Sequence, residues 1–184
     1  REIELLHEEM HDNLIRGMAV SKGYIPGIEK GLQEAMGEGF LAGYPAVDIG
    51  TELLDGKEHS VDSSEMAFLT AGSMAVKEAA PKASPALLEP MMRLEVVCPD
   101  EYTGEVISDL NGRRGRLESM ELNGTVRKVH GFAPLAEMFG YANDIRSRTQ
   151  GRAAYSMEFA HYDVVPNSIA NEIMERTGSS FRFK

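Results

Sequence analysis

The sequence has one cysteine, no tryptophan and no long run of apolar residues. A lone cysteine, Cys98, excludes an internal disulfide and suits a reducing compartment, so a cytoplasmic location is expected. The longest apolar stretches fall far short of the roughly eighteen residues that a membrane span needs. The charged start REIELLHEEM lacks the apolar centre of a signal peptide. Hydrophobic residues still make up 42% of the chain, which predicts a folded soluble protein.

Basic residues are also scarce, and the formal net charge is −10. The deficit lies mainly in residues 1–92, where 16 acidic side chains face 7 basic ones, whereas residues 93–152 carry 9 of each. Free binding to nucleic acid needs surplus cations for the phosphates, so the chain as a whole is a poor candidate for it. Any contact with RNA is therefore expected to be local, or to depend on a larger parent protein for its affinity.

Apolar spacing predicts helices and one strand ahead of a proline-rich segment. Asp62 and Glu65 have the spacing of a capping box, which predicts a helix from Ser63 to Ala79. Its buried side is expected to consist of Met66, Phe68 or Leu69, Met74 and Val76. The prolines between Pro81 and Pro90 indicate a linker and a domain boundary. The earlier predicted elements are a helix over 2–14, a helix over 25–36 and a strand over 44–54.

The second half has a regular order of elements. Asn123-Gly124 predicts a hairpin turn, and Pro134 is expected to open a helix. The predicted order is β-α-β-β-α-β, typical of the ferredoxin-like arrangement with helices on one face of an antiparallel sheet. The elements are a strand over 91–98, a helix over 100–110, strands over 116–122 and 125–133, a helix that begins at Pro134 and is ended by Gly151, a strand over 153–162 and a terminal helix over 167–176.

Four long segments carry a resemblance to a known family. The runs LLEPMMRLEVVCPDEYTGEVISDLNGRRGRLESM (87–120) and PLAEMFGYANDIRSRTQGRAAYSMEFAHY (134–162) resemble the last domain of bacterial-type translation elongation factor G. The runs GLQEAMGEGFLAGYPAVDIG (31–50) and HSVDSSEMAFLTAGSMAVKEAA (59–80) resemble the second half of the domain before it. The resemblance extends from about Gly17 to Thr177, and residues 1–15 do not look like the family.

The resemblance implies an α+β fold of two small domains. Residues 1–84 would be a truncated, ribosomal-protein-S5-like βα domain that bears a tip loop, and residues 87–178 a ferredoxin-like domain. The implied partner is the ribosome, with the penultimate domain at the decoding region and the last domain near the stalk base and the sarcin-ricin loop. The implied function is that of an arm acting in translocation, with no membrane contact.

Nucleotide chemistry is not expected of these residues. No G-x-x-x-x-G-K-[ST] phosphate loop occurs in the sequence, so this chain alone should not hydrolyse GTP. The resemblance places GTP and Mg²⁺ in a different domain of the parent protein, and no cofactor is expected here.

The segment from Gly56 to Asp62 matches the family's tip loop. His59 would be its apex, able to stack on or hydrogen-bond to RNA, with Lys57 as the local cation and Asp62 at its end. An ordinary solvated turn is the plainer interpretation of the same residues. The acidic neighbours Asp55 and Glu58 argue against strong affinity for RNA.

Two arginine clusters are the second candidate for contact with ribosomal RNA. Each follows a predicted helix of the last domain, where cations are favourable for the helix dipole alone. They could instead meet phosphates, and the sequence does not decide whether they form one patch. The residues are Arg113, Arg114 and Arg116 in the first cluster, and Arg146, Arg148 and Arg152 in the second.

Residues His7, Glu8 and His11 spell the H-E-x-x-H pattern of zinc peptidases. Glu9 places a charge inside the motif, and no further histidine follows at metzincin spacing, so a zinc hydrolase is the least favoured function. The runner-up is a stand-alone ferredoxin-like binding or regulatory module. An incomplete first domain would expose apolar surface, which predicts self-association.

Overall fold

The computed structural model describes residues 20–183, which form two compact units. Of the described residues, the first unit takes in 20–85 together with 167–183, and the second is Ala86–Pro166. The predicted helix over 2–14 lies outside the described residues. None of the helices within residues 20–183 combines the length and the hydrophobicity of a membrane span.

Two helices that pack closely together dominate the first unit. Helix α1, Ile25–Glu38, carries proline in its first turn and ends at Gly39, which confirms the prediction for this segment. Helix α2 is Glu65–Ala79. The two approach each other through glycine: a Cβ built on Gly31 would lie 2.0 Å from the backbone oxygen of Leu69. Glycine at this position therefore sets the distance between the helices.

The start and the buried side of α2 differ from the prediction. Ser64, rather than Asp62, caps the helix, and its side chain accepts a hydrogen bond from the Ala67 amide at 3.1 Å. The chain turns immediately before, with the Ser63 amide donating to the His59 carbonyl at 3.2 Å, so Asp62 lies inside that turn. Val76 is buried as predicted, together with Gly72, whereas Met66 and Met74 are 68% and 65% exposed. The α2 helix then gives way to a 3₁₀ turn, Ala80–Ala83.

The strand predicted over 44–54 is wrong. Residues 44–54 contain no strand, although Val47 and its neighbours alternate as a strand would. A strand needs a hydrogen-bonded neighbour, and no such partner lies beside this segment in the described part of the chain. Asp48 also adopts φ 56°, which interrupts an extended backbone. One link to the rest of the unit is the hydrogen bond from the Ala46 amide to the Met36 carbonyl, at 2.8 Å.

The second unit is a four-stranded antiparallel sheet with two helices. Its strands stand in the order β2-β3-β1-β4, which confirms the ferredoxin-like α+β arrangement. The β2–β3 hairpin turns at Gly124-Thr125, one residue later than predicted, because Asn123 already pairs with Val126. The elements are β1 Leu88–Pro99, α3 Thr103–Gly112, β2 Arg116–Asn123, β3 Val126–Pro134, α4 Tyr141–Arg148 and β4 Ala154–Val164.

Both helices of this unit pack on the same face of β1. The core joins Leu94, Val96 and Cys98 of β1 to residues of both helices, among them Leu110 and Ile145. Cys98 is 1% exposed, more deeply buried than expected. The opposite face of the sheet carries no helix of this unit.

Helix α4 starts later than the proline predicted. A 3₁₀ turn, Leu135–Glu137, follows Pro134, and the α-helix begins only at Tyr141. Gly140 separates the two with φ 81°, a left-handed conformation that ends one turn and starts the next. A terminal helix α5, Asn167–Arg176, has the predicted bounds and buries Ala170 and Met174.

Candidate functional site

The tip loop presents its candidate residues to solvent. Lys57, His59 and Asp62 are all exposed. Asp55 and Glu58 place two further carboxylates within the same short segment, so the single lysine is outnumbered. Such a loop can offer an imidazole and an ammonium group to RNA, but it offers no net positive field.

Hydrogen bonds brace the base of this loop. The Glu58 carboxylate accepts from both the amide and the hydroxyl of Ser21, the latter at 2.8 Å. Across the turn, the His59 amide donates to the Ser63 hydroxyl at 2.8 Å. The loop therefore keeps a defined backbone without secondary structure, while the imidazole of His59 stays exposed.

Arg113 is an internal residue of the second unit. Its side chain is 12% exposed, and three of its nitrogens donate hydrogen bonds. Nε donates to Asp109 at 2.9 Å, Nη1 to the Glu137 carbonyl at 2.5 Å, and Nη2 to Asp144 at 2.5 Å. Burial lowers the pKa of this guanidinium, but the bonds to Asp109 and Asp144 outweigh it and the pKa is raised. These contacts tie the end of α3 to the start of α4.

Arg114 follows with a different set of partners. Its Nη1 and Nη2 form a bidentate pair with Glu89, each at 2.7 Å, and its Nε donates to Glu137 at 3.1 Å. The hydrogen bonds to Glu89 raise the pKa of Arg114 further above its ordinary value. The backbone is left-handed here, with φ 58°, at the turn that ends α3. Arg114 thus fixes the start of β1 and the turn after β3 relative to α3.

Asp109 connects the two arginine clusters. Its carboxylate, 5% exposed, lies 2.9 Å from Nε of Arg113 and 3.2 Å from Nε of Arg148. Arg148 also approaches Glu105, with Nη1 at 3.6 Å from the carboxylate. Acidic and basic side chains therefore alternate along the α3–α4 contact. The two clusters are therefore joined through the shared Asp109 carboxylate and do not form one free cationic patch.

The three remaining arginines are exposed, as is Arg148 at 45%. Arg116 reaches Asp163 at 3.4 Å with its side chain 65% exposed, and Arg152 reaches Glu101 at 2.6 Å. Arg146 is exposed on α4. These three side chains are available to phosphates, whereas Arg113 and Arg114 are committed to carboxylates within the unit.

Tyr141 lies beside Arg113 with its hydroxyl buried. The Arg113 guanidinium stacks 5.0 Å from the ring centroid, and Tyr155 meets the ring edge-on at 4.9 Å. Within residues 20–183 its Oη has no hydrogen-bond partner. Burial, followed by the negative charge of Asp109, raises the pKa of this phenol above its ordinary value.

Metal chemistry finds no support in the described residues. No group of three or more histidine, cysteine or acidic side chains is placed to hold a metal ion in residues 20–183. The H-E-x-x-H residues His7, Glu8 and His11 lie outside that range.

Comparison with known proteins defines the class to which this fold belongs. Residues 7–84 match the family described as elongation factor G, domain IV, and residues 86–173 match the family described as elongation factor G C-terminus. The domain IV match begins at residue 7, so it includes ten residues before Gly17, where the resemblance had been expected to begin. The two matched ranges thus correspond to two domains of a translation elongation factor. The chain belongs to the elongation factor G family.

A solved structure supports the same assignment. A crystal structure of a protein from Thermus thermophilus is similar over 89% of this chain, at 41% sequence identity and a TM-score of 0.78. This chain spans 25% of the length of that protein.

Proposed function

We propose that this chain is the ribosome-contacting C-terminal arm of an elongation factor G type GTPase, acting in translocation during protein synthesis. The observation that carries the proposal is the order of the two family matches, domain IV followed by the C-terminus, over most of the chain. Ribosomal RNA and ribosomal proteins are the proposed partners. An arm of this kind acts by position and shape and needs no reaction centre of its own.

The proposal gives no catalytic role to these residues. The sequence has no phosphate loop, so GTP and its Mg²⁺ would bind in another domain of the parent protein. Hydrolysis there would be coupled to the position of the arm through rigid elements. The braced base of the tip loop and the ion pairs between α3 and α4 suit such a role, since both resist deformation.

Different residues would make the two contacts. In the first unit, His59 and Lys57 are exposed at the tip loop and would approach the small subunit. In the second unit, the exposed Arg116 and Arg146 would approach the large subunit near the sarcin-ricin loop. Arg113 and Arg114 would stabilise the second unit, which presents Arg116 and Arg146.

A tethered cleavage experiment tests both contacts. The chain has one cysteine, which is buried, so a new cysteine at His59 or Arg146 can be labelled selectively with an iron chelate that generates hydroxyl radicals. We expect the label at His59→Cys to cut small-subunit RNA in the decoding region, and the label at Arg146→Cys to cut large-subunit RNA near the sarcin-ricin loop. Absence of cuts above the unlabelled background from both positions would refute the proposal.

A further inference from the structure

The open face of the second unit's sheet carries a shallow groove. It crosses the two central strands and the β4 edge, where Arg93 of β1 pairs with Phe132 of β3 on one side and with Glu158 of β4 on the other. The groove has a volume of about 280 Å³, near the lower limit for a small-ligand site. It is lined by Arg93, Phe132, Glu158, Phe159, Ala160 and His161.

An aromatic platform lies at the centre of the groove. The Arg93 guanidinium sits 5.4 Å from the centroid of the Phe132 ring, and His161 meets that ring edge-on at 5.6 Å. Phe132 is half-buried, so its position is fixed while part of the ring stays accessible. In RNA-binding sheets of the same strand order, aromatic side chains on the central strands stack on unpaired bases.

Two charged groups of opposite sign lie next to this platform, on β1 and β4. Arg93 is 52% exposed, and its ion pair with Glu118 is long, at 3.8 Å. Glu158 is exposed and makes no hydrogen bond or ion pair within the described range 20–183. The groove therefore offers a donor fork and a carboxylate acceptor on adjacent strands.

We propose that this groove binds an unpaired guanine of RNA. Guanine carries two N–H donors on its Watson–Crick edge and two acceptors, O6 and N7, on its major-groove edge. Glu158 would accept from the first edge. Arg93 would move off the Phe132 ring to donate to the second edge, and the base would take its place on the ring. Adenine places a ring-nitrogen acceptor where Glu158 needs a donor, so the groove disfavours it.

Base recognition must supply most of the affinity. On the central strand β3, the basic groups beside the groove are already paired, Arg127 with Asp100 at 2.6 Å and Lys128 with Glu95 at 3.6 Å. Few phosphate contacts remain, so binding should be modest, favoured by low salt and selective for the base. The inference rests on the proposed function, because the guanine would belong to ribosomal RNA.

Short fluorescent RNAs test this selectivity. The probes are uridine oligomers with one central guanine or one central adenine, an oligomer of uridine alone, and free GMP, all at low salt. We expect the guanine oligomer to bind about tenfold more tightly than the adenine oligomer, the discrimination that one bidentate contact provides. Equal binding of the guanine and adenine oligomers would overturn the proposal. Binding of GMP as tight as that of the guanine oligomer would overturn the assignment to RNA.

Variants connect the selectivity to the groove. Glu158→Gln should abolish the preference for guanine, whereas Glu121→Gln, which changes an exposed carboxylate on β2 outside the groove, should retain it. Phe132→Leu should weaken binding of every oligomer. Retained guanine preference in Glu158→Gln would overturn the proposal. If the wild-type chain binds ribosomes but shows no guanine preference, the groove inference fails and the proposed function stands.

Discussion

Removing the Arg113 side chain should destabilise the second unit strongly. Arg113→Ala deletes three hydrogen bonds and leaves the Asp109 carboxylate, 5% exposed, with Arg148 as its remaining basic partner. It also uncovers the Tyr141 ring, on which the guanidinium stacks at 5.0 Å. The change thus breaks the charge alternation between α3 and α4 at its most buried point.

The size of this loss in stability is set by the buried Asp109 carboxylate, which loses one of its two basic partners. Such losses cost about 3–5 kcal/mol when the remaining charge is fully unpaired. Arg148 still lies 3.2 Å from Asp109, which favours the lower end of that range. We therefore expect the free energy of unfolding to fall by about 3 kcal/mol.

Urea unfolding followed by far-ultraviolet circular dichroism measures this loss. The matched control is Arg146→Ala, an exposed arginine on α4, which should change the free energy of unfolding by less than about 0.5 kcal/mol. Replacing both partners, as Arg113→Met with Asp109→Leu, should recover at least half of the loss because no buried charge remains. A loss below about 1 kcal/mol in Arg113→Ala would refute the structural role of this arginine.

Three further predictions concern packing and burial. Tyr141→Phe should raise the free energy of unfolding by about 1 kcal/mol, since it removes a buried hydroxyl with no partner in residues 20–183. Because folding raises the pKa of that phenol, the group leaves the wild-type free energy of unfolding unchanged with pH below the ordinary tyrosine pKa and lowers it as pH rises past that value. Urea titrations at rising pH should therefore show a smaller alkaline loss in the variant, and an unchanged loss would contradict the burial. Gly31→Ala should lower the free energy of unfolding by about 1–3 kcal/mol, because the added methyl group forces α1 away from α2. Gly37→Ala has open space around it and should raise the free energy of unfolding by about 0.5–1 kcal/mol. Thermal melts in which the two variants are equally stable would count against the close approach. The exposed Met66 and Met74 predict concentration-dependent association in sedimentation velocity, reduced in the double lysine variant; a monomer at every concentration would exclude it.

Local signals in the sequence predicted most elements of the second unit. Alternation along β1, the turn signal beside Gly124 and the four-residue spacing in α3 each act over a few residues. The same reasoning placed the terminal helix α5 within its observed bounds. It failed over residues 44–54, because a strand depends on a partner that the segment itself cannot supply.

The role of the arginines depends on contacts that are distant in sequence. Arg114 meets Glu89 across 25 residues, and Arg113 meets Glu137 across 24. Spacing could have suggested only the Asp109–Arg113 pair, four residues apart on one helix. Charge counting therefore identified both clusters but could not separate the internal arginines from exposed ones such as Arg146. The ribosomal roles of these residues and of the tip loop stay predictions.

Co-sedimentation with bacterial ribosomes at low salt, with intact elongation factor G as competitor, tests the central claim most directly. Circular dichroism should first establish that the chain is folded. We predict that the chain pellets with ribosomes, that the intact factor displaces it, and that His59→Ala weakens the binding. A folded chain that stays in the supernatant at low salt, or that pellets without being displaced, would contradict the account.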